Sequence, residues 1–184
     1  MKNCPICKTL YATGNICPDD GATLINQQQT DSLIGTNIKD MYRLDSLLGE
    51  GGMSRVYLAT QLTLNRQVAI KIVRAEMNQS TDFIQLFLRE ARIASQINHP
   101  NVISIFDFGN TEDGMTYLVM EYLPGRAIDN WLGDDEGLTK LGIMAMMKQI
   151  CSGIGAAHQM GIVHRDLKPA NIVIAKLSDN SKVA

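Results

Sequence analysis

A carboxylate two residues before a lysine and five before an asparagine stands in Ile162-Val163-His164-Arg165-Asp166-Leu167-Lys168-Pro169-Ala170-Asn171. Those three side-chain types at that spacing suit phosphoryl transfer. Asp166 can orient and deprotonate an attacking hydroxyl, Lys168 can neutralise charge on the moving group, and the Asn171 carbonyl can ligate Mg²⁺. Upstream, Leu48-Gly49-Glu50-Gly51-Gly52-Met53-Ser54-Arg55-Val56 puts glycines where a backbone can approach a polyphosphate and aim N–H groups at its oxygens. Alone, this run reads equally as a glycine-rich hairpin. Val68-Ala69-Ile70-Lys71 then places a cation at the end of an apolar strand, where it either neutralises phosphates or is simply solvated. Glu90, in mid-helix, either pairs with that cation or faces water.

A second constellation lies at the N-terminus. Cys4-Pro5-Ile6-Cys7 is a metal knuckle, two thiolates on a tight turn that can share one tetrahedral Zn²⁺. Cys17-Pro18-Asp19-Asp20-Gly21 supplies a third thiolate, with Asp20 where a fourth Cys would stand; carboxylate oxygen is an acceptable, weaker ligand. The alternatives are a reduced loop, or a ribbon that has lost its metal. No His or Glu precedes Glu50, which argues against a catalytic zinc.

These residues need elements to hold them. Strands are expected over residues 42–48 and 56–60, flanking the glycines, and over 67–73, ending in basic residues. Ser80 or Thr81 can cap a helix over 82–97 with Phe83, Phe87, Ala91 and Ala94 on one face, and Asn98-His99-Pro100-Asn101 breaks it. Strands are expected at 102–107 and 116–120, a long helix at 139–159, and short strands at 162–163 and 172–174. In the long helix Ile143, Met146, Met147, Ile150, Ile154 and Ala157 recur at helical spacing; its methionines and Cys151 read as core residues, although in a domain of this length the apolar face would lack helices to pack against and would be left as an exposed stripe. Asp134-Asp135-Glu136 reads as a solvated loop.

The glycine loop, the VAIK lysine, the mid-helix glutamate and HRDLKPxN occur in order and in matching context. Together, from Tyr42 to Ala184, they resemble the eukaryotic-like (Hanks-type) serine/threonine protein kinases of bacteria. The resemblance implies an α+β, bilobal kinase fold: a small antiparallel β lobe with one long helix, then the beginning of a helical large lobe. It implies that Leu48 to Val56 fold over the phosphates of ATP, with Val56 and Ala69 packing on adenine. Lys71 would contact the α- and β-phosphates and pair with Glu90. Met120-Glu121-Tyr122-Leu123 looks like the gatekeeper and hinge, where backbone of Glu121 and Leu123 would read the adenine edge. Asp166 would be the base, Lys168 the phosphate contact, Asn171 a Mg²⁺ ligand, and Lys168-Pro169 is similar to the Ser/Thr-specific loop. Two departures stand out. Ser54 replaces the third glycine, and no Asp-Phe-Gly follows Asn171, so the resemblance implies a kinase domain that is incomplete and weakly active or inactive alone. The cysteine segment resembles the short zinc ribbons attached to some bacterial kinases, which implies a docking surface for a protein partner.

The expected organisation is a zinc-ribbon-like module over 1–25, a polar linker over 26–40, and the kinase portion over 41–184. Composition agrees with a globular chain: of 184 residues 45% are hydrophobic and 20% charged, which excludes wholesale disorder. With 17 basic against 19 acidic residues, no field draws it to nucleic acid or anionic lipid. No signal peptide or membrane-spanning run is read, so the cytoplasm is expected, where disulfides are disfavoured. The sequence thus points to transfer of the γ-phosphate of MgATP to protein Ser/Thr hydroxyls. A non-catalytic kinase-like scaffold is the alternative, and a small-molecule kinase fits less well.

Overall fold

Short apolar alternations near the N-terminus build only short strands. The computed structural model describes residues 2–7, 9–26, 31–130, 140–176 and 182–183. Strands β1 (Lys2–Asn3), β2 (Leu10–Tyr11) and β3 (Ile25–Asn26) form an antiparallel sheet in the order β2-β1-β3. Its core is Cys4, Cys17 and Leu24, with Tyr11 and Ala22 packed against them. So small a core needs a staple.

The chain divides into two units, residues Met1–Ala91 with Ile105–Tyr122, and residues Arg92–Ser104 with Leu123–Ala184. In the first, β4 (Asn37–Ile38), β5 (Tyr42–Glu50), β6 (Ser54–Gln61) and β7 (Arg66–Val73) run antiparallel before helix α1 (Thr81–Ala94). Strands β8 (Ile105–Asn110) and β9 (Thr116–Glu121) complete a six-stranded sheet, β4-β5-β6-β7-β9-β8. Cross-strand partners point to one face. The pairs Val56↔Lys71, Leu58↔Ala69, Lys71↔Leu118 and Ala69↔Met120 therefore share a face. Tyr57, Ile70, Val68, Tyr117 and Val119 hold the other face and are fully buried. Each such side chain contributes about 1.5–3 kcal/mol.

What covers that second face is the polar stretch before the domain. Leu33, Ile38 and Met41 pack on it, and residues 31–40 carry structure where a linker was expected. Helix α1 begins as the sequence suggests: Ser80 Oγ accepts from Phe83 N at 3.4 Å and Ser80 O accepts from Ile84 N at 3.1 Å. It stops at Ala94, three residues short of expectation, because the Ser95 hydroxyl bonds back to Arg92 O and only single turns follow.

In the second unit the Asn98–Asn101 turn docks on α2 (Lys140–Gln159). His99 and Ser152 hydrogen-bond at 3.0 Å, and Asn101 Nδ2 donates to Gln149 Oε1 at 3.4 Å. Gln149, Ser152 and Gly153 lie on one side of α2, and among the described residues several on the opposite side are exposed. Met144 is 71% exposed, Met147, Met160 and Cys151 are also exposed, and the expected core packing of these residues is thereby corrected. Strands β10 (Gly125–Ala127), β11 (Val173–Lys176) and β12 (Lys182–Val183) form a third antiparallel sheet. Residues 162–163 are not a strand, and the strand expected over 102–107 begins only at Ile105, after a turn closed by Val102 N donating to His99 O. Residues 131–139, including Asp134-Asp135-Glu136 and the expected helix start at 139, lie outside the described residues.

Gly153 tests the docking. A Cβ there would lie 2.8 Å from Asn101 O, a backbone atom. Gly153→Ala gains about 1 kcal/mol of helix propensity but meets an overpacking cost of about 1–3 kcal/mol. The expected result is a melting temperature lower by about 2–4 °C. A rise would mean that the turn does not sit on α2 in solution.

Candidate functional site

The residues singled out for chemistry fall into three groups, two on the first unit and one on the second. On the second, Lys168-Pro169-Ala170-Asn171 turns through a short 3₁₀ segment, Pro169–Asn171, with Asn171 N donating to Lys168 O at 2.9 Å. Proline at the start suits that turn, because its fixed φ is already helical and it needs no N–H partner. Arg165 has φ of +60°, a region that non-glycine residues rarely occupy, and Asp166 N donates to His164 O at 2.8 Å. Such strain gathers where a side chain must be aimed.

The outcome is a compact cluster. Lys168 Nζ lies 2.9 Å from Asp166 Oδ2, and Asn171 Nδ2 donates to Asp166 Oδ2 at 3.0 Å and to Asp166 O at 2.8 Å. The Lys168 ammonium, first, and the Asn171 amide hold the Asp166 carboxyl below its ordinary value. With both Asn171 donor contacts spent on Asp166, its Oδ1 is the acceptor left for a cation, which is the atom Mg²⁺ requires. All three side chains are exposed, as groups that meet a substrate must be.

On the first unit the glycine loop closes the β5–β6 hairpin. Gly51 N donates to Ser54 O at 2.8 Å, and Gly51, Gly52 and Met53 are exposed. Gly49 pairs with Val56 and Glu50 with Arg55. Val56, Ala69, Lys71 and Met120 share the sheet face that residues 31–41 leave uncovered, and Val56, Lys71 and Met120 are only half-buried. Leu48 ends the run before the loop and Glu121 ends β9, while Leu123 begins the next stretch of the second unit. Glu90 sits exposed on α1 beside the buried Ala91. Among the described residues no ion pair involves Lys71.

The third group is at the N-terminus. One ligand atom from each of Cys4, Cys7, Cys17 and Asp20 lies within 4.8 Å of all the others. Cys7 Sγ is 3.6 Å from Cys17 Sγ, close to the roughly 3.8 Å separating two thiolates on a tetrahedral Zn²⁺ with bonds of about 2.3 Å. Asp20 Oδ2 is 3.1 Å from Cys4 Sγ. Ile6 N and Cys7 N both donate to Cys4 Sγ at 3.4 Å, which stabilises a thiolate. Gly21, at φ +74°, permits the turn that presents Asp20, and Ala22 N donates to Asp20 Oδ1 at 2.9 Å. Burial pushes the Cys4 thiol up to about 12. Burial also opposes ionisation of Asp20, but the Ala22 N–H and the neighbouring thiols outweigh it and bring that carboxyl to about 2. The donor set therefore fits a Zn²⁺ site.

Some residues at these sites carry no sequence signal. Tyr11 is one: its hydroxyl donates to Asp19 Oδ2 at 2.7 Å and lies 3.3 Å from Cys17 Sγ, with nothing in its spacing to mark it. Arg74 is another, bound to both Glu50 and Gly51 of the glycine loop. Its place in the basic end of the third strand run was the available hint.

Comparison with known proteins accords with this geometry. The protein kinase domain family matches residues 42–184. The chain is 44% identical over 142 residues to serine/threonine-protein kinase PrkC of Bacillus subtilis, covering 77% of this chain and 22% of that protein. It is 39% identical over 145 residues to serine/threonine-protein kinase pkn3 of Myxococcus xanthus, covering 79% of this chain and 26% of that one. It thus spans about a quarter of these curated relatives. The kinase domain of Mycobacterium tuberculosis PknI superposes with a TM-score of 0.64 at 26% identity, over 77% of this chain and 58% of that one. No described helix is long and apolar enough to cross a membrane. From Tyr42 onward, then, fold and motifs agree, and the chain belongs to the protein kinase domain family.

Proposed function

We propose that the protein carrying this chain transfers the γ-phosphate of MgATP to Ser or Thr hydroxyls of protein substrates. The observation that carries the reading is the Asp166–Lys168–Asn171 cluster, an ionised carboxylate whose nearest partners are a cation and an amide. In this reading Asp166 accepts the proton of the attacking hydroxyl and aligns its oxygen with the phosphorus. Lys168, beside it, offsets negative charge on the transferring group. Asn171 Oδ1 would help to hold Mg²⁺, which when bound neutralises charge shared by the β- and γ-phosphates. On the sheet, the loop from Leu48 to Val56 covers the phosphates, and Val56, Ala69 and Met120 contact the base. Backbone groups of Glu121 and Leu123 read its edge, while Lys71, supported by Glu90, contacts the α- and β-phosphates. The lysine–proline form of the loop and the names of the relatives support a hydroxyl of Ser or Thr as the acceptor. ATP supply and four free cysteines support a cytoplasmic setting.

We further infer that Cys4, Cys7, Cys17 and Asp20 hold one structural Zn²⁺, and that the module so formed is a docking surface for a protein. Convergence of four donors, two of them buried, supports this.

Lys71→Met tests the kinase reading. In the complete protein, autophosphorylation followed with radiolabelled ATP is expected to fall by about 100-fold or more. Unchanged transfer would remove Lys71 from the site. Transfer absent even from the unsubstituted protein, with MgATP still bound, would favour the non-catalytic scaffold.

A further inference from the structure

Gly51, Gly52 and Met53 at the tip of the glycine loop are exposed, so polar contacts to its backbone and to Glu50 help decide where the tip lies. Three contacts do so. Arg74 N donates to Met53 O at 3.0 Å, Arg74 Nε donates to Gly51 O at 3.0 Å, and Arg74 Nη2 reaches Glu50 Oε1 at 2.7 Å. The same Glu50 oxygen accepts from Arg55 Nε at 2.9 Å.

Arg55 is held in turn from outside the kinase portion. Its Nη1 lies 3.4 Å from Asp31 Oδ2, which also accepts from Tyr57 OH at 2.5 Å. Asp31 is no incidental surface charge, since its side chain is only 7% exposed. Its other oxygen accepts from Leu33 N at 3.1 Å, and its carbonyl accepts from Ile34 N at 3.0 Å, so the residue also sets the turn that lays Leu33 on the sheet. A cavity of about 390 Å³ borders Asp31, Arg55 and Arg74. The two guanidiniums therefore lack close packing on that side, and the carboxylates orient them.

We propose that Asp31 is a positioning residue for the glycine loop, acting through Arg55, Glu50 and Arg74 to set the loop that covers the phosphates of ATP. The segment that enters the kinase portion from the cysteine module thereby takes part in nucleotide binding without touching nucleotide. The proposal rests on the kinase reading and adds a residue that no kinase motif contains.

The test compares affinity for MgATP with affinity for adenosine, which has no phosphates for the loop to cover. Both are measured on the full chain by calorimetry, with melting temperature alongside. Asp31→Asn keeps a turn-capping oxygen but loses the charge facing Arg55. It is expected to weaken MgATP by about fivefold or more, the size of a network coupling, while adenosine binding stays within about twofold. Glu50→Gln is expected to do the same. The double variant should lose no more than the worse single one, because both act through one chain of contacts. Asp45→Asn serves as the control: it removes the charge that pairs with Arg43 at 2.9 Å in the same sheet, away from the loop, and should leave MgATP affinity unchanged.

Unchanged MgATP affinity in Asp31→Asn would overturn the proposal. An equal loss for MgATP and adenosine would also overturn it, since that marks a merely structural role. Should Asp31→Asn fail to fold, Arg55→Lys decides. It keeps the charge, lacks the planar fork, and is expected to lose MgATP preference selectively. An unsubstituted chain that binds both ligands equally would instead overturn the kinase reading, and so separates the two failures.

Discussion

Asp166→Asn is expected to lower kcat for phosphoryl transfer by the complete protein about 10²–10⁴-fold, the usual contribution of a positioned base. MgATP affinity should stay within about twofold, because in the proposed role the residue would act on the acceptor hydroxyl rather than on the nucleotide. Stability should move by no more than about 0.5 kcal/mol, as is usual for an exposed side chain. Asparagine keeps an oxygen that can accept from Lys168 or the Asn171 amide, so the geometry survives while the proton acceptor is lost. The pH dependence supplies a second reading. Lys168 and Asn171 hold the Asp166 carboxyl below its ordinary value, so the base stays ionised as pH falls and activity is lost only on protonation. On its acid side kcat/KM should therefore show no limb from Asp166 down to about pH 5, above the ordinary carboxylate value near 4. Lys168→Met removes the largest cause of the depression and moves any such limb upward. Full activity in Asp166→Asn would dismiss it as the base.

The second large effect concerns the cysteine module. Zinc content by mass spectrometry is expected near one per chain. Cys17→Ser, which replaces a buried ligand, is expected to cut zinc affinity by about 100-fold or more, and the module should then unfold, since structural zinc supplies folding free energy outright. Digestion within residues 5–20 should appear on adding a chelator. The main sheet should keep its melting temperature, because its core and the module's core are separate clusters. Every thiol must release its proton to solvent to bind the metal as thiolate, so affinity should rise with pH, most steeply on account of Cys4, whose thiol burial pushes up to about 12. Asp20→Cys completes a four-thiolate site and is expected to tighten binding. A module that stays folded and metal-free at pH 7.5 would refute the zinc assignment.

Much of this architecture was legible in the residues. Strand Tyr42–Glu50 is legible because period-two alternation survives where one sheet face is buried, and strands Ser54–Gln61 and Arg66–Val73 because short apolar, β-branched runs stand between polar segments. The cap on α1 was found because a serine before an apolar run has few other uses. Strand β10 was missed: three residues around Gly125 show no alternation, and their place depends on Ile174, whose carbonyl leaves no room for a Cβ at Gly125. The exposed methionines of α2 were misjudged for a related reason, as helical spacing tells which residues share a side but not whether anything covers it.

The local chemistry follows from residues close together along the chain. Asp166, Lys168 and Asn171 lie within six residues, and Cys4 and Cys7 on one turn, so short-range geometry alone brings their atoms together. Which groups meet across long stretches of chain depends on tertiary packing. Packing sets Cys17 and Asp20 against Cys4, gives Lys71 and Ala69 the sheet face opposite the one residues 31–41 cover, and places Asp31 on Tyr57, 26 residues away. Such pairings depend on strand register and on which apolar surface is buried. One residue of slip would turn Lys71 to the opposite face, and neither residue of a distant pair bears a mark of the other.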